Sequence, residues 1–295
     1  MAKMLHTHGG RAPCVHSRLE GEHRIAAGNP GWDGAQASDD SNAEHVQTRS
    51  PPPGPLTPAN LPSSGGGEEL PNPALYRLMT WMSPAYPVGA FSYSGGLEWA
   101  VEAGDIRDAE SLTTWLAVVI GCGSVACDAA IFRHAHRAAA CGEDGALAAI
   151  AELAAALVGS KERFLETTAQ GRAFLEVTQA AWATPSLDRL TAVWDGPLAY
   201  PVAVAAACAG HSIALVPALQ AFLHGVVSNL VSAGVRLIPL GQTAGQRVLA
   251  ALETEIARTV ERALATALDD IGSATLRADI AGMRHETQHT RLFRS

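Results

Sequence analysis

Apolar residues recur at helical spacing along most of the chain, most clearly from about Thr243 to Ile271. Steps of three and four residues separate these apolar positions, so they lie along one side of a helix. The pattern predicts one long amphipathic helix over this range. Alternation of apolar and polar residues, which marks strands, is not found over any length of the sequence, so we expect an all-α fold. The stripe consists of Leu249, Leu252, Ile256, Val260, Leu264, Ala267 and Ile271.

Capping residues and prolines mark further helix ends. Asn72 followed by Pro73 is a typical helix start, and Asp108 and Ser160 are placed to cap two later helices. We therefore expect a single globular bundle of roughly ten helices over residues 72–295. Besides the helices that begin near 73 and 109, helices are predicted over 97–103, 125–141, 144–158, 161–182, 187–194, 199–209 and 216–233.

Residues 1–71 have a different composition. They contain a proline-rich run at 51–55, a serine- and glycine-rich run at 63–67, and almost no apolar periodicity. Such a segment cannot bury enough apolar surface to offset the entropy lost on folding. We expect a disordered Pro/Gly/Ser-rich extension over residues 1–71.

Charge and composition exclude several function classes. The net charge of −8 argues against nucleic acid as a partner, and no basic run is present that would bind an anionic membrane. The lysines are Lys3 and Lys161, so the sequence lacks the lysine of a phosphate-binding loop, and we expect any nucleotide to lie on a partner. Five cysteines without a C-x-x-C pair indicate reduced thiols in a cytoplasmic protein. Apolar runs such as 115–127 are shorter than the roughly 20 residues of a membrane span.

The segment from Ser83 to Trp99 is the most unusual loop in the sequence. Two prolines fix its backbone, and three glycines allow conformations closed to other residues. We expect this loop to be ordered and functional, because a simple connection between two helices could be shorter. A hydrolase is disfavoured because the G-x-S-x-G motif around a nucleophilic serine is absent, and Ser94 is better interpreted as a helix cap.

Three sequence blocks together resemble the UreF-type urease accessory protein family. The first is P-x-x-P-x-G-x-F-S-Y-S-x-G-L-E, from Pro84 to Glu98. The second, R-L-I-P-L-G-Q-T-A-G-Q, runs from Arg236 to Gln246. The third is the C-terminal segment from Met283, which ends in R-L-F-R-S. All three occur in the order of the family.

This resemblance implies an all-helical, non-enzymatic chaperone for nickel insertion into urease. Such proteins join a second scaffold, UreD (also called UreH), and recruit the nickel-carrying GTPase UreG to apo-urease. The resemblance also implies a homodimer. It implies no tightly bound cofactor, since the complex handles nickel transiently.

Two alternatives remain open at this point. As a direct regulator, the protein would activate or gate the partner GTPase, with Arg236 reaching the nucleotide. As a metallochaperone, it would bind nickel itself, and His285 and His289 have the four-residue spacing of metal ligands on one helical face. The simpler interpretation of Arg236 is that its side chain caps carbonyl groups at the end of a helix. The simpler interpretation of Glu98 is that its negative charge stabilises the start of a helix.

The C-terminal tail is both cationic and apolar, which is unusual for a free terminus. We expect it to become ordered when a partner binds. Aromatic residues in the glycine-rich loop are expected to face a partner, because rigid aromatic side chains dominate binding energies. The predicted partner-binding residues are Phe91, Tyr93, Glu98, Arg236, Gln242, Arg284, Arg291, Leu292, Phe293 and Arg294.

Overall fold

The structure is a computed structural model that describes residues 72–295. These residues form twelve α-helices and two 3-10 turns, and no strand occurs among them, so the predicted all-α bundle is confirmed. The disordered extension predicted for residues 1–71 lies outside the described residues. The helices are α1 Pro73–Trp81, α2 Leu97–Glu102, α3 Ala109–Cys122, α4 Ser124–Cys141, α5 Asp144–Ala156, α6 Lys161–Ala181, α7 Pro185–Val193, α8 Tyr200–Gly210, α9 Leu215–Leu237, α10 Gln242–Ala251, α11 Glu253–Ala265 and α12 Leu276–His285.

The predicted capping residues begin their helices as expected. The Asn72 side chain accepts hydrogen bonds from backbone N–H groups in the first turn of α1. Asp108 accepts from the Ser111 N–H at 2.8 Å, and Ser160 accepts from the Arg163 N–H at 3.2 Å. Each bond satisfies a donor that the first helical turn would otherwise leave unpaired.

Helix α8 lies at the centre of the bundle. Residues 201–208 are all buried, and the helix packs mainly against α4 and α6. Small residues let the neighbouring backbones approach closely. A Cβ atom added to Gly171 of α6 would lie 2.1 Å from the Leu198 carbonyl oxygen, so glycine is required there. The Ala-rich composition of the chain thus serves close helix packing.

An aromatic cluster fixes the start of the glycine-rich loop. Trp81, the last residue of α1, packs edge-to-face on Phe174 with ring centroids 5.9 Å apart. Tyr86 lies 5.4 Å from the same ring, and its hydroxyl is hydrogen-bonded to the Thr178 hydroxyl at 2.8 Å. The loop therefore leaves α1 in a direction set by contacts with α6.

The prediction of one helix from Thr243 to Ile271 is wrong. The chain forms α10 and α11 with a break at the buried Leu252, followed by a 3-10 turn over Leu268–Asp270. Helix α10 packs on α9 and α3, whereas α11 packs on α4, α3 and α9. The apolar stripe identifies the side that faces the core, but not the position of the break. Helix α12 was not among the predicted helices; it is short and mixes apolar with charged residues.

Two helical stretches are long and apolar enough to cross a membrane by length and composition alone, 109–141 and Leu215–Leu237. This differs from the expectation based on continuous apolar runs. It is weak evidence for a membrane, because core helices of folded domains share these properties. Both stretches contribute to the core: Phe132 of α4 and Phe222 of α9 are buried with ring centroids 5.1 Å apart.

Candidate functional site

The three motif blocks meet at one place in the fold. The 3-10 turn Ala90–Ser92 is fixed to α9 by the Asn229 side chain, which donates to the Ala90 carbonyl oxygen at 2.8 Å. The last residues of the chain then cross this loop. The Arg294 N–H donates to the Ser92 carbonyl oxygen at 2.8 Å, and the Ser94 N–H donates to the Ser295 carbonyl oxygen at 2.7 Å. We call residues 291–295 the tail.

The residues that surround the tail are called the tail groove. They come from the glycine-rich loop and from helices α2, α6 and α9. Helix α12 returns the chain to this groove, and it lies against the start of α2. A Cβ atom at Gly96, whose φ is +83°, would lie 2.7 Å from the Gly282 backbone nitrogen, so this approach requires glycine. The tail groove comprises Ser92, Ser94, Glu98, Glu162, Glu166 and Arg236.

Glu98 is the central anchor of the tail. One carboxylate oxygen accepts the Leu292 N–H at 2.6 Å, and the other accepts the Phe293 N–H at 2.9 Å. Burial raises the pKa of Glu98, but these two bonds and the contact with His285 outweigh it and hold the pKa below its usual value. Glu98 also lies in the first turn of α2, where a negative charge is favourable, as the simpler interpretation expected. It therefore both binds the tail and stabilises the start of this helix.

His285 lies fully buried between two carboxylates. Its Nδ1 is 2.6 Å from a Glu162 oxygen, and its Nε2 is 3.0 Å from a Glu98 oxygen. Each ring nitrogen thus lies at hydrogen-bonding distance from a carboxylate oxygen. Neither nitrogen is therefore open to a metal ion in this arrangement.

The predicted helical pair of His285 and His289 is wrong. Helix α12 ends at His285, so His289 lies beyond it in an exposed turn. Among residues 72–295, no group of three or more His, Cys, Asp or Glu side chains is arranged to hold a metal ion. The structure thus does not bring His285 and His289 together on one helical face.

Two acidic residues of α6 complete the groove, and the sequence reading missed them. A Glu162 oxygen accepts from the Arg291 guanidinium at 2.7 Å, and a Glu166 oxygen accepts from the Ser295 hydroxyl at 3.2 Å. Both glutamates are buried. Their four-residue spacing places them on one helical face, complementary in charge to the basic tail. That complementarity was the signal available in the sequence.

A partly buried ion-pair cluster lies behind Glu166. Arg163 bridges Glu166, at 3.2 Å, and Asp128 of α4. Burial raises the pKa of Asp128 although Arg163 opposes the shift. Burial lowers the pKa of Arg163, but the two carboxylates outweigh it and raise the value. Arg163 therefore fixes the position of Glu166 independently of the tail.

Arg236 covers the one aromatic side chain of the tail. Its guanidinium carbon lies 4.4 Å from the Phe293 ring centroid and 5.9 Å from that of Phe91. Arg236 belongs to the last turn of α9, which extends to Leu237, and its Nε donates to the Ser232 carbonyl oxygen at 3.2 Å. This bond agrees with the simpler interpretation of Arg236, in which the arginine caps carbonyl groups at the end of a helix. Burial lowers the pKa of Arg236.

Three predicted partner-binding residues are inside the domain, namely Glu98, described above, Tyr93 and Phe293. Tyr93 is 8% exposed and Phe293 is 5% exposed, so neither side chain faces a partner in the isolated chain. Tyr93 turns inward because Ser92 and Ser94 on either side of it are hydrogen-bonded to the tail. The expectation that Phe293 needs a partner to cover it is wrong, since Arg236 and the groove already do so.

Other predicted residues remain on the surface. Phe91 and Leu292 are each 67% exposed, and Arg294 is also exposed. We call these three residues the rim. Arg284, near the end of α12, and Gln242, the first residue of α10, are exposed as well but are not among the groove residues. The partner-binding role of all these residues stays a prediction.

Comparison with known proteins identifies the family. The sequence model of the UreF family matches residues 106–253. A protein of Bradyrhizobium diazoefficiens is 60% identical over 222 residues, which cover 75% of this chain and 92% of that protein. A protein of Rhodopseudomonas palustris strain BisA53 is 58% identical over 222 residues, covering 75% and 93% of the two chains. Both bear the name urease accessory protein UreF. The chain belongs to the UreF family of urease accessory proteins.

Proposed function

We propose that this protein is a non-catalytic scaffold in urease maturation. Together with a UreD-type protein it would recruit the nickel-carrying GTPase UreG and assist nickel insertion into apo-urease. One observation supports this most: the three family motifs converge on a single groove with an exposed rim of Phe91, Leu292 and Arg294. Nickel is cargo of the complex in this proposal, not a resident cofactor of this chain.

The chemistry of the rim suits a protein partner. Two large apolar side chains and an arginine stand on a backbone held by buried hydrogen bonds, so little conformational entropy is lost when they bind. Rigid aromatic and arginine side chains are typical centres of binding energy. We propose that the rim contacts an apolar patch with acidic residues on the UreD-type scaffold.

The polar groups of the groove are engaged with one another, which supports a scaffold more than an enzyme. The Ser94 hydroxyl donates to the Ser295 carbonyl oxygen, so it is not available as a nucleophile. Arg236 stacks on Phe293 and would have to leave it to reach a partner's nucleotide. Both nitrogens of His285 face carboxylates. The GTPase-regulator and metallochaperone alternatives are therefore less well supported.

Co-purification with the cognate UreD and UreG proteins tests the proposal. Leu292→Asp places a charge on the rim without touching the buried bonds, and we expect it to reduce capture by at least about tenfold. Leu276→Asp is the matched control, because Leu276 is also highly exposed but lies at the start of α12. Equal capture by both variants would contradict the proposal. GTP turnover with and without the protein, and nickel titration of the isolated chain, test the two alternatives.

A further inference from the structure

We propose that the tail groove is a peptide-binding site in its own right. The chain's own residues 291–295 occupy it as a bound peptide, and the site selects extended segments of the form Arg-x-Phe-x-Ser. The proposal requires no partner protein. It therefore holds or fails independently of the scaffold function.

The groove is positioned by contacts that do not involve the tail. Asn229 holds the loop at Ala90, and Arg163 holds Glu166. The Arg236 side chain is bonded to the carbonyl of its own helix at Ser232. A site whose walls are fixed separately is preorganised, so a ligand does not have to order it.

Backbone groups of the tail make five hydrogen bonds to the groove, one of them from the Ser94 hydroxyl to the Ser295 carbonyl oxygen. The N–H groups of Leu292 and Phe293 share the Glu98 carboxylate. The Arg294 N–H and the Ser295 carbonyl oxygen pair with the backbone of the loop on the opposite side. This is how extended peptides are generally held at an exposed backbone edge, and it supplies affinity for any extended segment.

Side chains supply the selectivity, at alternate positions. Arg291 forms an ion pair with Glu162 at 2.7 Å, Phe293 is buried beneath Arg236, and the Ser295 hydroxyl donates to Glu166. Phe293 and Ser295 are buried, whereas Leu292 and Arg294 are exposed; the Arg291 side chain is 40% exposed, although its guanidinium pairs with Glu162. Alternation is expected of an extended peptide, whose successive side chains point to opposite sides. The ligand class is thus a peptide with a basic, an aromatic and a hydroxyl residue at every second position.

The turn between α12 and the tail acts as a tether. Thr287, His289 and Thr290 in this turn are exposed. A short tether gives the tail a high effective concentration at the groove, on the order of millimolar. Cutting it should convert the tail into an ordinary ligand that exchanges with free peptide.

The experiment uses the full chain with a protease site inserted between His289 and Thr290. After cleavage, a fluorescent, C-terminally amidated peptide of residues 290–295 is added, and its anisotropy is measured. We expect saturable binding to the cut protein and at least about tenfold weaker binding to the uncut protein, whose groove is filled. Unlabelled peptides with Arg291→Ala or Phe293→Ala should compete at least about tenfold less well, and those with Leu292→Ala or Arg294→Ala within about twofold.

A second variant checks the groove side. Glu98→Gln in the cut protein should weaken peptide binding by at least about tenfold with unchanged helical circular dichroism. Absence of peptide binding, or equal competition by all four variant peptides, would overturn the proposal. Loss of helical structure on cleavage would overturn it as well, because the tail would then be an integral part of the fold.

Discussion

Helix α8 and the tail groove are both buried, but different forces hold them. The eight consecutive buried residues of α8, from Pro201 to Cys208, carry no charged side chain. The groove instead buries Glu98, Glu162 and Glu166 around the tail, with His285 of α12 buried beside them. Burial of apolar surface is non-directional, whereas a buried charge must find a partner at hydrogen-bonding distance.

This difference separates the stability of the domain from the docking of the tail. Apolar contacts of α8 with α4 and α6 connect the middle of the bundle. The tail depends on a few specific bonds, above all those of its N–H groups to Glu98. Removing one partner of a buried polar pair leaves the other unsatisfied. We therefore expect changes in the groove to release the tail locally and changes in the core to unfold the whole domain.

The largest effect is expected from a core substitution beside α8. Phe222→Ala removes a fully buried ring that packs on Phe132 and on Tyr200 of α8. We expect it to lower the free energy of unfolding by about 3–5 kcal/mol in denaturant titration, from lost apolar burial and the cavity left behind. Phe91→Ala, at an exposed ring, is the control and should change it by less than about 0.5 kcal/mol. Similar losses in the two variants would refute the separation of core and rim.

A groove substitution should act on the tail and on the adjoining contact with His285, not on the core. Glu98→Gln replaces a carboxylate that accepts two backbone N–H groups by an amide with one acceptor, so we expect docking of the tail to weaken by about 1.5–3 kcal/mol. Amide exchange of the tail should accelerate while the melting temperature of the domain changes little. Glu110→Gln, at an exposed position of α3, is the control. A large loss of melting temperature in Glu98→Gln would contradict local release.

Docking of the tail should depend on pH. The pKa of Glu98 is lower with the tail docked than its usual value, which is about 4.3. A lowered pKa favours docking above the usual value, and this contribution is lost as pH falls through the lowered pKa. Amide protection of the tail should therefore decrease below about pH 4.3 and be less pH-dependent in Glu98→Gln. Protection that increases on acidification would contradict this sign.

The smallest effect is expected at Arg236. Arg236→Gln removes the cation above the Phe293 ring but leaves the backbone bonds of the tail, so docking should weaken by about 0.5–1 kcal/mol. Arg236→Lys should lose less, because it keeps the charge but not the planar guanidinium. The amide exchange rate of Phe293 measures the loss of docking in each of the two variants. A loss as large as that of Glu98→Gln would mean that stacking, not hydrogen bonding, holds the tail.

Local signals in the sequence predicted much of the fold. Asn72, Asp108 and Ser160 act through neighbours within a few residues, so their capping roles could be recognised without the structure. The break at Leu252 could not, because it depends on which distant helices α10 and α11 contact. The apolar stripe from Leu249 to Ile271 continues through this break without interruption.

The site was predicted only in part, because it also depends on contacts between residues that are far apart in the sequence. The motif blocks at the loop, at Arg236 and at the tail were identified, but their convergence and the contribution of α6 depend on tertiary packing. Tyr93 was misplaced because a loop rich in glycine and proline indicates order without indicating which side chains point inward. Glu162 and Glu166 could be assigned to the site only once the structure placed Arg291 and Ser295 of the tail beside them.

Hydrogen exchange of the free full-length chain, with no partner present, tests the central claim most directly. The account predicts that the amides of Leu292 and Phe293 are protected, because both donate to the buried Glu98 carboxylate. Their protection should disappear in Glu98→Gln while the amides of α8 remain protected. If these two amides exchange at the rate of an unstructured peptide in the unaltered chain, the tail is not docked on its own domain, and the account of the groove is contradicted.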